Sequence, residues 1–158
     1  MTALEKLGAF VATHIPNEAA CADARLHAAD VIGAWIAATA TKEGKLLRDF
    51  RQPGASLPDR VAISCALARL SEIDDIHLGS MVTPGAIVVP AALTIAAALP
   101  DLEKDEVAAA IIAGYEAMIR LGAAIDGPSV LYRGIWPTYF AAPFGVAATA
   151  ARMMRLST

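Results

Sequence analysis

Hydrophobic residues recur at intervals of three and four along most of the chain, as on the buried face of an amphipathic helix. Thr2 and Glu5 match a capping box, which predicts a helix that begins there and ends at Pro16. Asn17 is a suitable N-cap for a second helix, and helical spacing continues from it to residues 52–54. No segment alternates apolar and polar residues in the way a half-buried strand does. The pattern therefore predicts an all-α protein.

Four more helices are expected in the rest of the chain, over about residues 56–70, 85–99, 102–121 and 138–155. Gly122 is expected to end the third of these, because glycine commonly terminates helices. The stretches 71–84 and 123–136 are expected to be loops. Since no linker or repeat divides the 158 residues, we expect one helical domain over 1–158 with very little β structure.

Two long segments, 76–100 and 134–151, contain no Asp, Glu, Lys or Arg. The helical part of the first is shorter than the roughly 20 apolar residues that a bilayer requires, so a buried helix is expected and not a membrane span. Two such segments exceed what the core of one small domain can hide. They predict an apolar interface with another chain, either a second copy or a complementary chain.

Composition and charge exclude several classes of protein. Hydrophobic residues make up 56% of the chain and charged residues 18%, which excludes an intrinsically disordered protein. The formal net charge is −3 and no basic run occurs, so nucleic-acid binding is not expected. Cys21 and Cys65 lie far apart inside apolar runs and fit no zinc or redox spacing. Because the N-terminus also lacks the basic start of a signal peptide, a reduced, cytoplasmic setting is expected.

Four ionisable residues crowd one predicted loop: Glu72, Asp74, Asp75 and His77. An uncharged, apolar stretch follows them, and both lost solvation and repulsion between carboxylates raise a pKa toward the range useful for proton transfer. The same residues also fit the solvated end of a helix, where an Asp caps and Glu72 pairs with Arg69. As a third interpretation, they would suit a divalent metal ion, although their spacing matches no established metal loop.

A second candidate segment, residues 132–138, joins two apolar helices and reads Tyr-Arg-Gly-Ile-Trp-Pro-Thr. Arg133 is the only charged residue in a long apolar surrounding. Such an arginine is suited to hold a substrate carboxylate through two hydrogen bonds. A structural ion pair with Glu72 or Asp126 is an equal alternative.

The remaining histidines and motifs indicate no further site. His14 and His27 lie on predicted helices and are interpreted as ordinary surface or core histidines. The sequence contains no P-loop, no Gly-rich dinucleotide fingerprint and no catalytic Ser-His-Asp order. No cofactor is expected.

Several segments in a consistent order resemble the MmgE/PrpD family. They lie at residues 29–34, 71–77, 83–92, 113–116, 120–122, 133–138 and 144–148. The family includes 2-methylcitrate dehydratase, cis-aconitate decarboxylase and iminodisuccinate epimerase. The resemblance implies a large helical domain, a smaller α+β lid, an active site between the two, and homodimers as the usual assembly. It covers the N-terminal part of the helical domain only, so the chain is expected to lack the lid.

The resemblance also implies a reaction class and a catalytic set. Family members abstract or donate a proton beside a carboxylate of a small polycarboxylate, without an obligatory metal. The acidic loop of the family corresponds to Glu72, Asp74 and Asp75. With His77, these residues are the expected catalytic set.

Thr83, Arg133 and Thr138 are the expected substrate-binding residues. The chain departs from the family at two places in these segments. Thr83 stands where many members have a histidine, and Trp136 stands where many have the histidine of a His-Pro-Thr motif. Neither threonine nor tryptophan serves as a base near neutral pH.

Three functional hypotheses follow. The first is a subunit of a split lyase or isomerase, in which a second polypeptide supplies the lid and the missing bases. The second is a non-catalytic domain that retains the helical scaffold for binding or assembly. The third is a self-sufficient minimal enzyme that uses the loop with Glu72, Asp74, Asp75 and His77.

Overall fold

The structure is a computed structural model that describes residues 1–50, 53–99 and 101–157. In these residues the chain forms eight α-helices and no strand beyond an isolated bridge between His77 and Val82. The helices are α1 (Ala3–Thr13), α2 (Glu18–Thr39), α3 (Lys42–Asp49), α4 (Leu57–Arg69), α5 (Gly85–Ala96), α6 (Lys104–Ala124), α7 (Gly127–Tyr132) and α8 (Thr138–Met153). The prediction of an all-α protein is confirmed.

The long second helix of the prediction is in fact two helices. Helix α2 ends at Thr39, and the Thr41 hydroxyl accepts the N–H of Gly44 at 2.9 Å to begin α3. Gly44 also permits the turn, because a Cβ at this position would collide with the Ala38 carbonyl group. A threonine N-cap therefore divides a continuous helical pattern. Of the predicted end of this segment, residues 52–54, Gln52 lies outside the described residues.

Gly122 does not end its helix as predicted, since α6 continues through it to Ala124. A Cβ on Gly122 would lie 2.7 Å from Val82 Cγ1 and 3.0 Å from Ser80 Cβ. The glycine therefore allows the segment before α5 to pack directly on α6. The stretch expected to be a loop after Gly122 also contains the short helix α7.

Helix α5 lies at the centre of the molecule, in contact with α2, α4, α6 and α8. Most of its 12 residues are buried, and Val88 and Val89 are fully so. This confirms the buried helix expected in segment 76–100. The expectation that both segments together exceed one core, and so form an interface, stays a prediction. Segment 134–151, by comparison, leaves Tyr139, Phe140 and Phe144 exposed.

In the described ranges, α6 is the one helix whose length and composition would allow it to cross a membrane. Of the most apolar 18-residue stretch of this helix, 44% is buried inside the protein, and the helix packs on α1, α2, α5 and α8. The core helix of a soluble protein has the same properties. The structure is consistent with a soluble protein, and the cytoplasmic location stays a prediction.

The closest helix pair is α6 and α8, which cross at two glycines. A Cβ on Gly114 of α6 would collide with the Thr149 hydroxyl and lie 2.8 Å from Val88 Cγ1. Gly145 of α8 lies in the same way against the Met118 side chain. Because neither glycine has a side chain, the backbones of α6 and α8 can approach each other closely.

We expect Gly114→Ala to lower the free energy of unfolding by about 1–3 kcal/mol, because an added methyl group overpacks a filled core. Its neighbours Thr149 and Val88 are β-branched and hold their rotamers stiffly. Urea denaturation followed by circular dichroism measures the change.

Gly33→Ala is the matched control, since a Cβ on Gly33 of α2 would meet no atom within 4 Å. This variant should keep the stability of the wild type or gain about 0.5–1 kcal/mol from the higher helix propensity of alanine. Equal losses in both variants would show that the close approach of α6 and α8 is not the cause.

Candidate active site

The acidic loop, residues 71–84 between α4 and α5, is held by its own backbone. The N–H of His77 donates to the Val82 carbonyl at 2.9 Å, and the His77 carbonyl accepts the N–H of Met81 at 2.8 Å. Glu72 and Met81 have φ values of 51° and 54°, in the left-handed region that few non-glycine residues occupy. The loop is therefore a defined turn and not an open connection.

The carboxylate of Asp75 contacts three different helices. Its Oδ1 accepts the N–H of Gly85 at the start of α5 at 2.8 Å, and its Oδ2 accepts the Tyr115 hydroxyl of α6 at 2.7 Å. His27 Nδ1 of α2 lies within ion-pair distance, 3.0 Å from the same Oδ2. The Asp75 side chain is 16% exposed. Through two hydrogen bonds and this contact, the carboxylate ties the loop to α5, α6 and α2.

Tyr115 acts as a donor to this carboxylate. Burial raises the pKa of Tyr115 above its ordinary value, and the negative charge of Asp75 raises it further. The phenol therefore keeps its proton at any physiological pH. The ring of His27 lies beside it, with centroids 5.5 Å apart. Sequence reasoning missed both residues, because nothing in the spacing of His27, Asp75 and Tyr115 relates them.

Asp74 has a different environment from its neighbour. Its side chain is 1% exposed, and its Oδ1 accepts a hydrogen bond from Arg69 Nη1 at 2.7 Å. Its Oδ2 is buried and has no hydrogen-bond partner among the described residues. Burial raises the pKa of Asp74 above its ordinary value, while the charge of Arg69 opposes this rise. The site thus holds a carboxyl group that favours its protonated form more than a solvated one does.

Arg69 connects the acidic loop to the second candidate segment. Its guanidinium group lies 5.9 Å from the centre of the Trp136 ring, within the range of a cation–π contact. In the described part of the chain, Trp136 Nε1 and Ser71 Oγ are also buried without a partner. Buried polar atoms usually form hydrogen bonds. The three atoms without a partner on these two loops, Asp74 Oδ2, Ser71 Oγ and Trp136 Nε1, are therefore each able to form a further hydrogen bond.

Glu72 and His77 lie apart from this buried group. The Glu72 side chain is 78% exposed and 3.6 Å from Arg69, which matches the alternative of a solvated helix end. His77 is exposed, and its Nδ1 lies 2.8 Å from the Ser80 hydroxyl. The structure therefore divides the expected catalytic set into two aspartates whose side chains are largely covered and two exposed residues.

The expected substrate-binding residues also separate. Thr83 and Thr138 are 4% and 5% exposed, and the Thr138 hydroxyl accepts the N–H of Thr83 at 3.0 Å. This contact joins the two candidate loops. Arg133 is exposed at the end of α7, and no carboxylate lies within ion-pair distance of it in the described residues. Its expected alternative partners are engaged elsewhere, Glu72 with Arg69 and Asp126 with the Ser129 hydroxyl.

Within the described residues, no group of three or more His, Cys, Asp and Glu side chains is arranged to hold a metal ion. A family model described as the MmgE/PrpD N-terminal domain matches residues 61–158. The chain belongs to the MmgE/PrpD family. The match includes both candidate loops, α5, α6 and α8, whereas α1 to α3, with His27, precede it. No curated protein and no solved structure gives a significant match.

In this MmgE/PrpD chain, Asp75→Asn should lower the free energy of unfolding by about 2–3 kcal/mol, because the amide has a single acceptor oxygen for the two donors that bind Oδ1 and Oδ2. Either the Gly85 N–H or the Tyr115 hydroxyl is then left unpaired. Glu72→Gln, on the exposed side of the same loop, is the control and should change stability by less than about 0.5 kcal/mol. Equal effects in urea denaturation would argue against the role given to Asp75.

The pKa of Asp74 should lie above the usual value for a carboxyl group, which is near 4. Because the folded state then binds this proton more tightly than the unfolded state, the free energy of unfolding should fall as the pH rises between the two pKa values. Carbon-detected NMR of the side-chain carboxyl groups measures the titration, and Asp74→Asn assigns it. The same variant should remove that part of the pH dependence. An Asp74 resonance that titrates near 4 would contradict the prediction.

Proposed function

We propose that this chain is a subunit of a split MmgE/PrpD-type lyase or isomerase that acts on a small polycarboxylate by acid–base chemistry. One observation carries the proposal. Asp74 is a buried carboxyl group with a raised pKa and a free oxygen, in a loop that belongs to the family match. Groups with these properties are common among catalytic acids and bases.

The proposed role of Asp74 is proton donation or acceptance at the substrate. In a dehydration, a base removes a proton from the carbon beside a carboxylate, and an acid protonates the departing hydroxyl group, which leaves as water. In an epimerisation, the acid returns a proton to the opposite face of that carbon. Both reactions need two proton-transfer groups, and Asp74 provides one. A partner chain provides the other in this proposal.

Arg133 is the proposed contact for a substrate carboxylate. It is exposed, and it follows directly after the helix α7 that leads into the Trp136 segment. A guanidinium group that is not engaged by a protein carboxylate can bind one from a ligand through two parallel hydrogen bonds. Thr83 and Thr138 then act by fixing the two loops to each other, since their hydroxyl groups are 3.2 Å apart and buried.

Exposed large hydrophobic residues on the two loops and on the first part of α8 support the proposal of a partner chain. We define this loop-side apolar surface by eight large hydrophobic residues that are all more than 40% exposed: Ile73, Ile76, Leu78, Tyr132, Ile135, Tyr139, Phe140 and Phe144. Apolar surface in water costs roughly 25 cal/mol per Å², so its burial favours association. The partner is either a second copy or a complementary MmgE/PrpD-like chain.

A non-catalytic binding or assembly domain is the second candidate function. The observation that favours it is the engagement of both Asp75 oxygens in structural hydrogen bonds, with Glu72 and His77 in solvent. Only Asp74 then keeps the properties of an acid–base group. A self-sufficient enzyme built on all four residues has no comparable support.

We expect the purified chain alone to turn over neither 2-methylcitrate nor cis-aconitate. Co-purification from the native host, with mass spectrometry of the accompanying chains, should supply a complex that does react. Asp74→Asn should lower its kcat by about 10²–10⁴-fold, because an amide cannot transfer the proton. Glu72→Gln is the matched control and should keep most of the activity. Full activity of the Asp74→Asn complex would exclude the proposed acid.

Light scattering at micromolar concentration tests the assembly in the same preparations. We expect a species larger than the 16.4 kDa chain. Tyr139→Asp should weaken the association, whereas Ile36→Asp, at an exposed position on α2 outside the loop-side apolar surface, should not. A clean monomer that turns over a polycarboxylate unaided would contradict both the partner and the split enzyme.

A further inference from the structure

The two oxygens of the Asp74 carboxyl group have different surroundings. Oδ1 accepts a hydrogen bond from Arg69 Nη1 at 2.7 Å, whereas Oδ2 is buried and has no hydrogen-bond partner among the described residues. The side chain is 1% exposed, so contact with bulk water does not make the two oxygens alike. The contact with Arg69 therefore distinguishes one oxygen from the other.

This hydrogen bond determines which oxygen carries the proton when Asp74 is neutral. A guanidinium group donates hydrogen bonds only and does not lose its own proton in proteins. Of the two oxygens of a neutral carboxyl group, the carbonyl oxygen is the stronger acceptor. Oδ1 is therefore the carbonyl oxygen, and the proton is on Oδ2. When Asp74 is ionised, the same contact with Arg69 is a charge-assisted hydrogen bond.

Arg69 is itself held by its surroundings. It lies in the last turn of α4, where the helix dipole favours a positive charge. Its guanidinium carbon is 5.9 Å from the centre of the Trp136 ring, and its side chain is 29% exposed. Trp136 comes from the other candidate loop, directly before Pro137 at the start of α8. The indole ring thus limits the orientations that the guanidinium group can take.

The charges near Asp74 also single out Arg69. Burial favours the neutral form of Asp74, and the negative charge of Asp75 acts in the same direction. In the part of the chain that the structure describes, Arg69 is the only cation within ion-pair distance of Asp74. Glu72 lies 3.6 Å from Arg69 but is 78% exposed, so it competes weakly for the guanidinium group. Tyr115 of α6, whose pKa the charge of Asp74 helps to raise, stays neutral.

We propose that Arg69 and Trp136 are positioning residues for Asp74: Trp136 orients the guanidinium group, and Arg69 holds Oδ1 so that Oδ2 carries the transferable proton. The inference rests on the proposed acid–base function of Asp74 and deepens it by naming the atom that exchanges the proton. In donation, the Oδ2–H bond breaks, its electron pair stays on the carboxylate, and the proton bonds to a substrate atom. The charge of Arg69 stabilises the carboxylate that remains.

Infrared difference spectroscopy of the full chain, between acidic and alkaline buffer, tests the arrangement of the carboxyl group. Asp74→Asn assigns the C=O band of the protonated Asp74. A C=O group that accepts a hydrogen bond absorbs at lower frequency than a free one. Arg69→Met removes the donor and the charge, so it should move the band to higher frequency. Arg48→Met, at an exposed position on α3, is the control and should leave the band unchanged.

Carbon-detected NMR of the same variants follows the pKa of Asp74. Arg69→Met should raise this pKa above that of the wild type, because the one opposing cation is lost. Arg69→Lys keeps the charge and should leave the pKa near the wild-type value. Trp136→Leu should shift the pKa in the same direction as Arg69→Met but less, whereas Trp136→Phe retains a ring face for the guanidinium group and should not. If Arg69→Met does not fold by circular dichroism, Arg69→Lys and the two Trp136 variants provide the test.

In the co-purified complex, Arg69→Lys should lower kcat by about 10–100-fold with little change in KM, because a lysine lacks the planar group that fixes Oδ1. The proposal is overturned by an unchanged Asp74 band and pKa in Arg69→Met, by equal effects of Trp136→Leu and Trp136→Phe, or by full kcat in Arg69→Lys. The spectra do not depend on activity. Full activity of the Asp74→Asn complex together with the expected spectra would refute the proposed acid and leave the arrangement at Asp74 intact.

Discussion

The carboxylate of Asp75 is the contact on which the arrangement of both candidate loops depends. It accepts hydrogen bonds from α5 and α6 at 2.8 and 2.7 Å, and His27 of α2 lies 3.0 Å from it, although these helices are far apart in the sequence. Hydrogen bonds to an ionised group are stronger than neutral ones, and each of these is shielded from water in part. The acidic loop therefore has a fixed position relative to the core helix α5.

This fixed position explains why two adjacent aspartates behave differently. Asp75 is surrounded by donors and serves as an acceptor, whereas Asp74 has one arginine and a free, buried oxygen. The direction of a pKa shift depends on the balance between lost hydration and gained partners. A sequence that reads Asp-Asp cannot show this balance, because the partners come from α4, α5 and α6.

Most helices and caps were predictable from local sequence, since a cap or an apolar repeat needs only a few neighbouring residues, but the Thr41 N-cap and the short helix α7 were missed. Other predictions were wrong where a contact with a residue far away in the sequence determines the structure. Gly122 resembles a helix end, yet it lies inside α6. Val82 occupies the space that a side chain at position 122 would need, which explains the glycine. His27 gave no signal for the same reason, since α3 and α4 lie between it and Asp75 in the chain. The acidic loop itself was found, because it is continuous in sequence.

The two candidate loops are held by buried contacts on their inner side and carry exposed apolar side chains on their outer side. Buried contacts of Thr83 with Thr138 and of Arg69 with Trp136 hold the two loops together from beneath. Large apolar side chains are exposed on the same loops and at the start of α8, with Tyr139 among the most exposed. Groups that transfer protons must be held in place before the substrate arrives, and they act best where water is excluded. In the proposed split enzyme, this chain supplies the fixed half of such an environment, and a partner surface that covers the outward-facing side chains supplies the exclusion of water.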